Sequence, residues 1–255
     1  MELRVLGCHG GETPDHRTSS FLIDGRLAID AGALTSSLHL AAQKRVAAVL
    51  VSHSHMDHIR DLATLADNRC QAGGPTLVVA GTPGTLDSMR QHFFNDSIWP
   101  DFSRIMTPRG PTIRFKILQP ERLYKVAGYQ VRPVLVNHTV ESSGFVVTKG
   151  GRSLGYSGDT GPTHRLWKVL SATRRLRALL MEISFPNAQQ ALATVSGHHT
   201  PQTLDAELQK LNGHRDLPVL LYHIKPTFER QVIREVRRLR GWNLHVVRNG
   251  ERFKF

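Results

Sequence analysis

The sequence predicts an α/β fold with much antiparallel sheet, and three features predict it: short apolar runs of strand length, helical patterns alternating with them, and turn dipeptides near both ends. The apolar runs are "VAAVLV", "PTLVVAG", "VRPVLVN", "GFVVTKGG" leading into "RSLGYSGD", "RALLMEIS" and "LPVLLYHI". Helical spacing recurs at Ile59, Leu62, Ala63 and Ala66, and again at Leu204, Leu208 and Leu211. Asp24-Gly25 tolerates positive φ and predicts a hairpin joining "SSFLI" to "RLAID". Asn249-Gly250 predicts a second hairpin, joining "NLHVV" to "ERFKF".

A chain of 255 residues with 40% hydrophobic content can bury one large core, so a single domain over residues 1–255 is expected. No repeat or low-complexity linker divides it. The stretch Met89–Thr112 is the least regular and carries Phe93, Phe94, Trp99 and Phe102. It reads either as a functional insertion or lid or as a satellite hydrophobic cluster. Two cysteines, Cys8 and Cys70, lie far apart without a CxxC pattern, which suggests neither a disulfide framework nor a cysteine zinc site and points to a reducing compartment. The first residues lack the features of a secretory signal, and no apolar run reaches the roughly 20 residues of a membrane span. A cytoplasmic location without membrane contact is the expectation.

The formal charge is +12, which favours an anionic partner. Near the C-terminus, Phe228, Val232, Ile233, Val236 and Leu239 recur at helical spacing, with Arg230, Arg234, Arg237, Arg238 and Arg240 on the other side. That basic side is either a solvated helix face or an anion-binding surface.

The segment "VSHSHMDHIRDL" gathers three histidines and two aspartates directly after a buried strand. With "VAAVLV" as strand and a helix beginning near Asp57, Ser52 to Met56 form the turn between them. His53 and His55, two apart in an extended segment, point to one side, and Asp57 and His58 at the helix start can turn toward the same space. Histidine clusters also occur in solvated loops, but this spacing after a buried strand favours a metal site. Four candidate ligands from one loop exceed what one tetrahedral ion with an open position needs, so two ions are the economical reading. Further ligands are available where other apolar runs end: His138 after "RPVLVN", Asp159 after "LGYSG" and His223 after "PVLLY".

HxHxDH, an isolated histidine, an SGD aspartate and a late histidine, in that order, resemble the metallo-β-lactamase superfamily. The resemblance implies an αββα sandwich with metals at one edge. It implies one ion on His53, His55 and His138, another on Asp57, His58 and His223, and Asp159 bridging them. "IDAG" resembles the superfamily's first motif, which makes Asp30 a carboxylate that orients ligands. Histidine at position 55, where oxygen-reducing diiron members usually carry glutamate, favours hydrolysis over redox chemistry. The cofactors expected are two divalent transition ions, zinc first, with manganese or iron as alternatives.

Over nearly the whole chain, "RTSSFLIDGRLAIDAG", "SHSHMDHIRDLATLADN", "FNDSIWPDF", "YSGDTGPTHRLW", "EISFPN" and "SGHHTPQTLDAEL" resemble the class II 3′,5′-cyclic nucleotide phosphodiesterases. One departure is His199, where an apolar residue is expected. The HEATF and HST motifs of tRNase Z resemble "MEISF" and "GHHT", which implies a Glu182–His198 pair with His198 as proton donor to the departing oxygen. Thr200 before Pro201 reads as a helix N-cap. Phe94, Trp99 and Phe102 could stack a base, or belong to a lid or a homodimer contact. The expected substrate is a cyclic nucleotide, cyclic AMP or cyclic GMP. The alternative is RNA cleavage of the tRNase Z kind, favoured by the charge and opposed by the lack of a long Gly/Pro-rich arm; an inactive nucleic-acid-binding member is a third reading.

Overall fold

The computed structural model describes residues 1–214 and 216–255. Five strands, β1 (Glu2–Gly7), β2 (Ser20–Ile23), β3 (Leu27–Ile29), β4 (Ala48–Leu50) and β5 (Leu77–Gly81), open the chain. A two-stranded ribbon follows, β6 (Met106–Thr107) with β7 (Gly110–Pro111), and then β8 (Ile113–Ile117). The second half supplies β9 (Tyr124–Val126), β10 (Tyr129–Leu135), β11 (Ser143–Lys149), β12 (Arg152–Tyr156), β13 (Leu176–Glu182), β14 (Pro218–Tyr222), β15 (Asn243–Val246) and β16 (Arg252–Lys254). Two seven-stranded sheets result, ordered β16-β1-β2-β3-β4-β5-β8 and β15-β14-β13-β12-β11-β10-β9.

Helices cover the outer faces. On the first sheet lie α1 (Leu34–Ser37), α2 (Leu40–Gln43), α3 (Met56–Ile59), α4 (Asp61–Gln71) and α5 (Pro83–His92); the second carries α6 (Arg165–Ser171), α7 (Gln190–Ser196), α8 (Pro201–Leu208) and α9 (Glu229–Val236). The period of two along a strand explains the layering. In β13, Ala178 and Leu180 enter the core between the sheets, while Leu179 and Met181 join the core under the helices. In β4, Ala48 and Leu50 face the second sheet and Val49 faces α4. Both faces of these strands are buried, which is why they read as continuous apolar runs. The result is the expected αββα sandwich. Among the described residues, no helix is long and apolar enough to cross a membrane.

The first turn forms as expected: Asp24 and Gly25 adopt φ of 48° and 66°, and β2 pairs antiparallel with β3. The second does not form a hairpin. β15 pairs in parallel with β14, whereas β16 pairs antiparallel with β1, so Asn249-Gly250 carries the chain from one sheet to the other. The turn chemistry is local, but the edge strand it competes with is supplied by the first residues of the chain.

Phe94 and Phe102 depart from the substrate-binding expectation. Phe94 and Phe102 are 1% and 4% exposed and pack with Phe93 in the core between the first sheet and its helices. Trp99 is half-buried against the same cluster, and its carbonyl accepts from the backbone of Asn95 and Asp96. Neither buried ring has a free face for a base. Thr200 caps α8 as expected, accepting from the Thr203 backbone N–H with Pro201 at the first helical position.

Gly32, three residues after the end of β3, holds the α3 segment against the first sheet. A Cβ built there would lie 2.0 Å from the Asp57 carbonyl oxygen and 2.6 Å from Thr18 Oγ1. Backbone cannot yield as a side chain can. Gly32→Ala is therefore expected to destabilise the fold by about 1–3 kcal/mol, lowering the thermal midpoint by several degrees. An unchanged midpoint in thermal unfolding would show that α3 is not packed this closely.

Candidate active site

The side chains singled out in the sequence lie at the C-terminal ends of strands from both sheets, along one rim. Asp30 follows β3, His53 to His58 follow β4, His138 follows β10, Asp159 follows β12, Glu182 ends β13 and His223 follows β14. A strand that ends in a polar turn carries its next side chains out of the apolar layer, and the two sheets deliver theirs to the same place.

Asp30 joins them. Fully buried and at φ 55°, it accepts from the Ser52 backbone N–H at 2.7 Å, Ser52 Oγ at 2.8 Å and Tyr156 Oη at 2.6 Å, and from His58 Nδ1 at 2.7 Å. Ser52 Oγ, having spent its proton on Asp30, accepts from His53 Nδ1 at 3.0 Å. His138 Nδ1 donates to the Gly197 carbonyl at 3.0 Å. Each contact leaves Nε2 of His53, His58 and His138 toward the rim.

The donor atoms of His53, His55 and His138 lie within 4.8 Å of one another, and so do those of Asp57, His58, Asp159 and His223. His138 Nε2 is 3.2 Å from His55 Nδ1, and His58 Nε2 is 3.2 Å from His223 Nε2. Asp159 Oδ2 stands 3.0 Å from His223 Nε2, 3.2 Å from His58 Nε2 and 3.8 Å from His53 Nε2, between the two sets. Asp57 Oδ2 is 3.3 Å from His223 Nε2.

Two buried atoms here have no hydrogen-bond partner: His53 Nε2 and Asp159 Oδ1. Orphaned buried polar atoms are costly, so a rim that aims a bare imidazole nitrogen and a carboxylate oxygen into one space fits cations. Burial pushes His53, His55 and His138 below the usual histidine range, with the neighbouring His58 adding to the effect at His53. These three present lone pairs. Burial alone would also lower His58 and His223, but Asp159, helped at His58 by Asp30, holds both above it. Asp159 is correspondingly held well below the carboxylate range: the two histidines outweigh its burial.

Beside these sets stands the Glu182–His198 pair. His198 Nδ1 is 3.1 Å from Glu182 Oε1, and its ring centroid lies 5.0 Å from that of His138 and 5.1 Å from that of His223, stacked on the latter. Burial would raise the Glu182 carboxyl, but the charge and hydrogen bond of His198 hold it below the usual range. Glu182 also accepts from the Thr160 backbone N–H at 3.2 Å and from Ser184 Oγ at 3.2 Å.

Several residues at the rim carry no signal in the sequence. Ser184 Oγ donates to Glu182 and meets His223 Nδ1 at 2.9 Å, linking the Glu182–His198 pair to the second cluster. Tyr156 reads as strand core until its hydroxyl is seen on Asp30. Gly10 is pressed against His223, where an added Cβ would lie 2.8 Å from the imidazole. Ser52 lies inside the histidine segment, Tyr156 opens "YSGDTGPTHRLW" and Ser184 lies in "EISFPN", but nothing in these blocks names the partner each one meets. His199 is fully buried with Nδ1 3.2 Å from Thr203 Oγ1, and burial pushes it below the histidine range, so it fills the expected apolar position as a neutral ring.

A family model described as a beta-lactamase superfamily domain matches residues 21–224. The chain is 26% identical over 281 residues to a probable 3′,5′-cyclic-nucleotide phosphodiesterase of Yersinia pestis, covering 90% of this chain and 79% of that protein. Among solved structures, unliganded yeast PDE1 superposes with a TM-score of 0.81 at 20% identity over 95% of both chains. The short form of human tRNase Z superposes with a TM-score of 0.72 at 17% identity, over 100% of this chain and 99% of that one. The match to the family model spans most of the sequence and carries the rim from Asp30 to His223: the chain belongs to the metallo-β-lactamase superfamily of hydrolases.

Proposed function

We propose that this protein is a phosphodiesterase that opens 3′,5′-cyclic nucleotides, cyclic AMP or cyclic GMP, to 5′-monophosphates. The observation that carries the reading is the Glu182–His198 pair set against two adjacent ligand clusters. The Yersinia pestis relative, named for that activity, supports it. On this reading His53, His55 and His138 hold one divalent ion, Asp57, His58 and His223 hold the other, and Asp159 lies between them. Zinc suits the histidine-rich donors best; manganese and iron suit them as well. When bound, two such ions neutralise phosphate oxygens and lower the pKa of a water from 15.7 to about 7.

The chain's own residues do the rest. Asp30 and Ser52 fix ring orientation in His53 and His58, so their Nε2 atoms need not reorganise. Ring opening leaves a negative charge on the departing ribose oxygen, a poor leaving group that requires a proton. His198 supplies it from Nε2, while Glu182 on Nδ1 fixes the ring and compensates the imidazolium charge. Phe185, 6% exposed with its ring 5.8 Å from His198, covers the donor on one side. Unpaired Cys8 and Cys70 fit a reducing, cytoplasmic setting.

A second reading, cleavage of RNA, is favoured by one observation: Arg230, Arg234, Arg237, Arg238 and Arg240 are all exposed along and just beyond α9. Parallel assays with cyclic AMP, cyclic GMP and a 3′-extended tRNA separate the two. Turnover of a cyclic nucleotide to the 5′-monophosphate, abolished by chelator and restored by zinc or manganese, is expected; cleavage of the tRNA alone would replace the first reading with the second.

His198→Ala is expected to lower kcat by about 10²–10⁴-fold with metal content unchanged, because His198 is a proton donor and no ligand. Turnover equal to that of the parent protein would remove it from the mechanism.

A further inference from the structure

A second group of metal-competent side chains lies outside the rim. His9, His16 and Glu229 bring their donor atoms within 4.8 Å of one another. They come from the loop after β1 and from the first residue of α9, and none belongs to the ligand sets above.

His16 Nε2 is within long hydrogen-bond reach of Glu229 and His9 Nε2 is beyond it, and both spacings suit coordination of one ion. Both imidazoles aim Nε2 at the same carboxylate: His9 Nε2 is 3.6 Å from Oε1, and His16 Nε2 is 3.3 Å from Oε2. Charge-assisted N–H···O contacts close to about 2.7–2.9 Å. A zinc-like ion with ligand bonds of about 2.0–2.1 Å instead spaces its tetrahedral donors about 3.3–3.4 Å apart. The rings meet edge to face with centroids 4.6 Å apart.

The outward nitrogens and the backbone hold this orientation. His16 Nδ1 is hydrogen-bonded to Thr13 Oγ1, and the backbones of Thr13 and His16 exchange hydrogen bonds of 3.1 Å in both directions. His9 is bridged to Thr18 on one side and to Ile224 on the other. The thiol of Cys8 is spent on the Val247 carbonyl at 3.3 Å and does not compete as a ligand. The side chains are 11%, 19% and 35% exposed for His9, His16 and Glu229, so solvent reaches the fourth position.

The geometry points to a third divalent-ion site, distinct from the rim, in which His9, His16 and Glu229 bind one zinc-class ion with water completing the coordination. The site is structural. It fastens the loop of residues 8–19 to α9 and, through the His9–Ile224 bridge, braces the segment that follows His223.

The test is metal content per folded chain after saturation with zinc and exhaustive dialysis, for the parent protein, Glu229→Gln and His16→Gln. Glu229→Gln keeps the shape of the side chain and removes its charge, and His16 is close to the surface, so at least one variant folds if the site is only a fastening. Each folded variant is expected to bind one equivalent of zinc less than the parent, whatever number the rim holds. The parent's thermal midpoint should rise with added zinc by more than that of either variant. Equal zinc content in the parent and a folded variant would overturn the assignment and leave a histidine–glutamate hydrogen-bonding cluster.

Discussion

Asp30 holds the two halves of the molecule together at the point where the chemistry must happen. Its carboxylate is fully buried, and an unpaired ion there would cost several kcal/mol. Four donors remove that cost: the backbone and hydroxyl of Ser52 from the first sheet, Tyr156 Oη from the second, and His58 from the ligand cluster. Because the carboxylate oxygens accept from both sheets, the sheets cannot slide relative to each other without breaking a charged hydrogen bond. Because the His58 ring is one of the donors, the orientation of a candidate ligand is set by the same contact. Fold and site therefore share one constraint.

The rim built on that constraint is two-sided in charge. His53, His55 and His138 are driven toward the neutral form by burial, whereas His58 and His223 are kept protonable by Asp159 and its neighbours. Asp159 sits at the boundary with one oxygen engaged by His58 and His223 and the other unpartnered. Such an arrangement is poor at stabilising a protein and suited to receiving cations. The positive φ of 74° at His223 belongs to the same economy: a left-handed turn at a non-glycine residue brings its ring back over the rim, and Gly10 must be a glycine to let it in.

Much of this was legible in the sequence, for a physical reason. Side chains at strand ends sit beside long apolar runs, so "VAAVLV" announces the strand before the histidine segment and "PVLLY" the strand before His223, which only the order of the whole set singles out. The burial of the strands was legible for the same reason, since strands buried on both faces lose their polar alternation, whereas the αββα layering followed from the family resemblance. What escaped depends on partners distant in sequence. Ser184 and Tyr156 look like ordinary core residues until the chain folds them onto Glu182, His223 and Asp30. The Asn249-Gly250 dipeptide favours a tight turn, but strand pairing is decided by which edges are free, and β1 and β14 each took one neighbour. Phe94 and Phe102 show how composition misleads: an aromatic ring suits a base or a core equally well, and here the core is where both lie. The basic run around α9 kept its expected amphipathic division, with Val232 and Val236 buried and the arginines exposed.

On the proposed function, the rim from His53 to His223 holds a pair of cations with Asp159 between them. Anomalous diffraction from crystals of the zinc-loaded protein, recorded on both sides of the zinc absorption edge, measures this directly. Two peaks about 3.5–4 Å apart, one among His53, His55 and His138 and the other among Asp57, His58 and His223, are the expected result. A single peak at the rim, or none, would contradict it.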